Sequence, residues 1–136
     1  MFHGGCHMRK AWVVAAVLVL VMGAQAGAEL LTPRILGWEQ FFKLDWQADQ
    51  RRGRPVVSGH IMNDWGFPAR NIQLLMEGLD SSGNVVAQRV AWLGSELTPG
   101  TRAYFEEPVP QPAPAATYRV SVFAWDWVQA GGGDRD

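Results

Sequence analysis

From Phe42 onward, apolar and polar positions alternate. Phe42, Leu44, Trp46 and Ala48 fall on one side, and Lys43, Asp45 and Gln47 on the other. This is the period of a strand with one buried face, so the four apolar residues are expected to line a core. Residues 56–63 repeat the pattern, with Val57, Gly59 and Ile61 opposite Ser58, His60 and Met62. Residues 71–79 form a third such run, carrying Ile72, Leu74 and Met76 on one face. Further strands are predicted at 85–93, 101–106 and 117–128. In the last of these, Tyr118, Val120 and Val122 alternate with Arg119, Ser121 and Phe123.

The segments between are turn chemistry. Residues 50–54 are polar and contain Gly53, and Asp64-Trp65-Gly66-Phe67-Pro68 is punctuated by Gly and Pro. Asp80-Ser81-Ser82-Gly83-Asn84 reads as a hairpin turn, and Pro99-Gly100 suits the two central positions of a tight turn. Residues 108–114 carry four prolines, which lack the N–H that a sheet interior requires, so they are expected to form an extended connector. Short strands, frequent turns and no amphipathic helix predict an all-β antiparallel sandwich of about six or seven strands. The seventh would come from residues 35–41 or from splitting a long strand.

Ahead of this pattern lies a different one. Arg9-Lys10 precedes an unbroken apolar run from Ala11 to Met22, followed by Gly23-Ala24-Gln25-Ala26-Gly27-Ala28. A basic start, an apolar stretch and a small-x-small site describe an export signal, with cleavage after Ala26 or Ala28. As a helix the run rises about 18 Å, short of the roughly 30 Å hydrocarbon core. Cleavage therefore fits better than a permanent anchor, which remains the alternative. Met8 stands directly before the basic pair and is a candidate start. The expected organisation is a signal helix over 1–28, a lead-in over 29–40, the sandwich over 41–128 and a frayed tail over 129–136, in a protein placed in the periplasm or outside the cell.

Composition narrows the chemistry. The single cysteine, Cys6, lies within the signal region, so the exported part has no disulfide, thiol nucleophile or Cys-based zinc site. Its only histidine is His60, which excludes a His-rich metal centre, and no cofactor is expected. Without Arg9 and Lys10 the chain keeps ten basic against thirteen acidic residues, a net charge of −3. The basic residues are scattered, which argues against nucleic acid as a partner. Ser58 and His60 share a strand face about 7 Å apart, too far for a nucleophile and its base, and no third group is evident. Asp45, Asp49, Glu106, Glu107 and Asp126 show no converging pair, and adjacent Glu106 and Glu107 point to opposite faces of an extended chain. Arg51-Arg52-Gly53-Arg54 reads as a charged hairpin tip that resists edge pairing.

The turn and core positions resemble a known family. Gly59-x-Ile61-x-Asn63, Ala69-x-Asn71-Ile72, Asp80-x-x-Gly83-x-Val85-Val86, Leu97-x-Pro99-Gly100 with Phe105, and Tyr118-x-Val120-x-Val122 are similar to the bacterial FxLYD-type domains over roughly residues 40–127. The stretch matching the naming motif is Met76-Glu77-Gly78-Leu79-Asp80, which keeps only the final Asp. The resemblance implies a small immunoglobulin- or fibronectin-III-like sandwich in an exported protein, with no catalytic residues to transfer.

Two aromatic features stand apart. Trp65 and Phe67 occupy a loop, where exposed rings often anchor partners; the alternative is that they plug the sandwich end. In the last strand, strict alternation puts Phe123, Trp125 and Trp127 on one face and Val120, Val122 and Ala124 on the other. Both faces are then apolar. Either the segment around Trp38 and Phe41 or another protein covers one of them, or a bulge re-registers the strand. These observations predict a non-catalytic exported module that binds another envelope protein or itself through Trp65, Phe67, Phe123, Trp125 and Trp127. A carbohydrate-binding module, with these rings stacked on polysaccharide, is the second reading. A small hydrolase is the third.

Overall fold

The computed structural model describes residues 29–111 and 114–129. The expected signal helix with its cleavage residues Ala26 and Ala28, and most of the expected tail, lie outside the described residues. A single 3₁₀ turn, Trp38–Gln40, leads into six strands: β1 (Phe42–Arg51), β2 (Arg54–Asn63), β3 (Ala69–Leu79), β4 (Val85–Trp92), β5 (Arg102–Pro108) and β6 (Thr117–Trp127). They form two three-stranded antiparallel sheets, ordered β1-β2-β5 and β4-β3-β6. This is an all-β, two-sheet arrangement of the immunoglobulin/fibronectin-III-like kind. Among the described residues there is no seventh strand; the 35–41 segment contains the 3₁₀ turn instead.

The inward faces follow the alternation. Phe42, Val57, Ile61, Ile72, Leu74, Met76, Phe105, Val120 and Val122 are buried in one cluster. Each such side chain contributes about 1.5–3 kcal/mol on burial. The proline-rich connector also contributes: Val109 and Pro110 are buried, and the Val109 N–H donates to the Pro55 carbonyl at 3.3 Å.

Ala48 is exposed rather than in the core, and Trp46 departs from the same expectation. It keeps the inward phase of β1 but is 39% exposed. The reason is its position on an edge strand. β1 and β6 border the same side of the sandwich, and the Trp46 indole Nε1–H closes that gap by donating to the Tyr118 carbonyl at 3.1 Å. The opposite side is closed by an ion pair, Arg89 of β4 to Glu107 of β5 at 2.9 Å. Glu106 turns outward to Arg51 at 3.0 Å, so the two adjacent glutamates do serve opposite faces.

The doubly apolar β6 is resolved by two bulges. Leu74 is opposite Val122 while Gln73 is opposite Ala124, which makes Phe123 the extra residue. A compensating extra residue lies in β3 between Arg70 and Gln73, where Asn71 takes a left-handed φ of 53°. The Asn71 amide Nδ2–H then donates to Asp126 Oδ2 at 2.8 Å. Past the bulge the phase flips, so Trp125 and Trp127 join Val120 and Val122 at the core. Phe123 remains on the other face, where Arg34 crosses it: the Arg34 N–H donates to the Phe123 carbonyl at 2.9 Å, and its guanidinium lies 5.3 Å from the ring centroid.

Candidate binding surface

One end of the sandwich is built from aromatic rings. Phe41 and Phe42 enter at the start of β1, Trp125 and Trp127 arrive at the end of β6, and Trp65 and Phe67 stand in the loop between β2 and β3. Phe41 meets Trp65 edge-on at 4.7 Å, Trp125 at 5.7 Å and Trp127 at 5.6 Å. Phe42 contacts Trp125 at 4.8 Å and lies parallel to Trp127 at 5.8 Å. Phe67 approaches Trp127 at 6.4 Å. Edge-on pairs of this kind add about 0.5–1.5 kcal/mol each beyond area burial.

The loop that carries Trp65 and Phe67 is fastened by one polar side chain. Asn63 ends β2 on the inward phase and is 0% exposed. Its Nδ2 donates to the carbonyls of Phe67 at 2.8 Å and Leu97 at 2.9 Å, and its Oδ1 accepts the Trp65 N–H at 2.9 Å. A buried amide costs free energy unless satisfied, and here both ends of the group are used. Backbone bonds complete the frame: Asp64 N–H to Phe41 O at 2.8 Å, Gly100 N–H to Asn63 O at 2.7 Å, Val128 N–H to Pro68 O at 2.8 Å, and a reciprocal bridge between Ala69 and Leu97.

The expected site residues therefore divide. Trp65 and Phe67 are 44% and 42% exposed, with the inner part of each ring on its neighbours and the outer part in solvent. Trp127 is half-buried beneath them. Trp125 and Phe123 are buried, and they lie on opposite faces of β6 rather than on one. Strict alternation would put them together; the re-registering bulge, one of the alternatives for this strand, separates them. Phe41 packs on Trp125 and Trp127 as the segment expected to cover the last strand would, whereas Asn63 was not anticipated as a participant. The signal for Asn63 was an amide on the same phase as Val57, Gly59 and Ile61.

Titratable groups gather elsewhere, on the outer face of β1-β2-β5. A shallow cavity of about 290 Å³ is lined by Asp45, Ser58, His60 and Tyr104 among others. His60 Nδ1 lies 3.6 Å from Asp45 Oδ1, its ring meets Tyr104 edge-on, and the Tyr104 hydroxyl donates to Glu106 at 2.9 Å. Ser58 is buried, and among the described hydrogen bonds none joins it to His60, so a nucleophile–base pair is not assembled. Asp49 is held below the usual carboxylate range by the Gln50 backbone N–H and then by Arg51, whose guanidinium is pushed up in turn by its hydrogen bond to Asp49. Among the described residues, no three of His, Cys, Asp and Glu converge as a metal site, and no helix is long and apolar enough to cross a membrane.

No family model matches the chain, and no curated protein matches it. What the structure establishes is the generic two-sheet sandwich and, at one end of it, two half-exposed rings on a fastened loop.

Proposed function

We propose that the chain works by binding, as a non-catalytic exported sandwich that serves as a protein-interaction or structural module of the cell envelope. The observation that carries this reading is the pairing of exposure with rigidity at Trp65 and Phe67. Large rings left nearly half in water give up burial energy, and a loop free to move would fold them away. Asn63 holds them in place instead. A partner meeting a pre-ordered loop avoids part of the ordering cost of association, and aromatic side chains dominate the energetics of such contacts.

The export signal in residues 9–28 supports an envelope location. The positions shared with FxLYD-type domains support a non-enzymatic sandwich, since that resemblance brings no catalytic residues. The partner is a protein of the same compartment or a second copy of the chain, and nucleic acid is disfavoured by the scattered basic residues. A polysaccharide is the weaker candidate, because sugar rings stack on a flat row of aromatics. Here the rings behind the exposed pair are turned across it, Phe41 at 84° to Trp65 and Trp127 at 60° to Phe67, so they do not extend the pair into a flat row.

The test is affinity capture from the native envelope fraction with the parent chain and with the double variant Trp65→Ala/Phe67→Ala. The proposal expects a protein that the parent retains and the variant loses. Identical retention by both would remove the aromatic end as the docking surface, and retention of polysaccharide alone would favour the carbohydrate reading.

A further inference from the structure

The outer face of β1-β2-β5 carries a polar arrangement that the aromatic end does not use. Strand register sets Asp45, His60 and Tyr104 side by side across the three strands, with Gln47, Ser58 and Glu106 on the next rung. The 290 Å³ cavity lies where these two rungs meet. On the other side of His60 a second cavity, of about 210 Å³, shares Asp45 and His60 with the first and runs on to Lys43, Met62 and Arg102.

The groups of the larger cavity are already held in place. Asp45 Oδ1 accepts the His60 backbone N–H at 3.1 Å. β1 and β2 run so close here that a Cβ on Gly59 would collide with the Asp45 carbonyl and the Trp46 Cα, which fixes the Asp45 backbone against β2. The Tyr104 hydroxyl is tied to Glu106, and Glu106 to Arg51. This chain of bonds steadies a ring that is 52% exposed. Ser58 lines the cavity while only 2% exposed, and among the described hydrogen bonds none takes its hydroxyl. A few fixed polar groups converging around a ring are the usual furniture of a small-ligand site. Charge narrows the class of ligand. Around the two cavities Lys43 and Arg102 offset Asp45 and Asp64, and Glu106 is taken up by Arg51 and Tyr104. Such a face offers hydrogen bonds without an excess of either sign, so it selects a neutral, hydroxyl-rich molecule rather than an ion.

We propose that this face binds a neutral oligosaccharide, with one pyranose ring against Tyr104 in the larger cavity and the next ring in the smaller cavity beyond His60. The C–H face of a sugar ring packs on the fixed tyrosine, and its hydroxyls bond the Asp45 carboxylate, the Gln47 amide and the Ser58 hydroxyl. Both cavities fall below the range of roughly 300–1,000 Å³ that encloses a drug-sized ligand, so each suits a single ring. Because the polar groups are preset, little ordering is required on binding. Both cavities are shallow and leave much of the sugar in water, so the dissociation constant is on the order of millimolar.

The surface is separate from the aromatic end, and the test separates them. The full chain, labelled with nitrogen-15, is titrated with maltotriose, cellotriose and triacetylchitotriose to well above millimolar, and its amide shifts are followed. At least one of the three sugars should move the amides around Asp45, Ser58, His60 and Tyr104. Tyr104→Ala should weaken that sugar about tenfold or more, with the thermal midpoint kept. Tyr104→Phe retains the ring and should keep most of the affinity. Gln47→Ala removes an exposed side chain without touching the Tyr104–Glu106 bond, so it reports on the same site if Tyr104→Ala disturbs the fold, and it should also weaken binding. Trp65→Ala/Phe67→Ala should bind the sugar as the parent does, whatever becomes of its protein partner. Absence of shifts with all three sugars overturns the proposal. So do shifts centred on Trp65 and Phe67, loss of sugar binding in Trp65→Ala/Phe67→Ala, and binding that Tyr104→Ala and Gln47→Ala both leave intact.

Discussion

At one end of the sandwich the turns are closed by atoms only a few residues apart. The Asp80 carboxylate accepts the N–H groups of Ser82 and Asn84, and Gly83 supplies the left-handed residue with φ 86°. Arg52 and Gly53, at φ 54° and 77°, turn β1 into β2 as a two-residue hairpin. At the other end, Asn63 binds Leu97, 34 positions away, and the rings of six aromatic residues from three segments meet. The hairpin tips at the first end close independently and are solvated, while the connector after β5 passes beside them with Val109 and Pro110 buried. The second is a single assembly in which loops depend on one another. Recognition surfaces need the latter, because a patch holds its shape only if its pieces are tied together.

Altering Asn63 should break this contrast most severely. Asn63→Ala removes the side-chain partner of the Phe67 carbonyl and of the Trp65 N–H and leaves the Leu97 carbonyl with the Ala69 N–H alone, and is expected to cost about 3–5 kcal/mol in denaturant unfolding. Asn63→Asp keeps the acceptor for Trp65 but loses both donations, so it should remain well below the parent. Trp46→Ala, between the two ends, should cost about 1–2 kcal/mol, less than a fully buried tryptophan, because the ring is partly in water and makes one indole bond.

At the polar end the effects should be smaller and local. The Asn84 backbone N–H, with help from Ser82, holds the Asp80 carboxyl below its usual range. A carboxylate lowered on folding adds stability that is complete above its unfolded pKa of about 3.9 and is lost as pH falls through the lowered folded value. Asp80→Asn should therefore remove part of the acid sensitivity below about pH 4 and change little at neutral pH; an unchanged acid titration of stability would contradict this. Smallest of all, Arg52→Asn should stabilise the chain by about 0.5 kcal/mol, since asparagine tolerates the left-handed conformation better than arginine. Thermal melts at neutral pH resolve its sign.

The same contrast explains what the sequence revealed. Alternation located all six strands to within about three residues, and the turns at Gly53, Asp80–Asn84 and Pro99-Gly100 were legible because their chemistry is contained in a few neighbouring positions. A bulge in the last strand was one of three explanations its two apolar faces allowed, but its place at Phe123 is defined only by register against Leu74 and Gln73. Trp46 showed its phase but not its edge position, which depends on strand order. Asn63 was visible as part of the Gly59-x-Ile61-x-Asn63 pattern, but its bonds to Phe67 and Leu97 join segments that only the fold brings together. Of the five rings expected to form a surface, the loop pair is exposed and the β6 residues are buried or half-buried. The bulge turns Trp125 and Trp127 to the core, and Arg34 covers Phe123 on the other face.

The central claim is that Trp65 and Phe67 are presented by the aromatic end rather than needed to close it. The direct measurement is the unfolding free energy of Trp65→Ala/Phe67→Ala beside that of Asn63→Ala, under the same denaturant conditions. The account predicts a loss of about 1–2 kcal/mol for the double variant, reflecting only the contacted half of each ring, and clearly less than for Asn63→Ala. A double-variant loss as large as or larger than that of Asn63→Ala would show that the rings are structural plugs, and would contradict it.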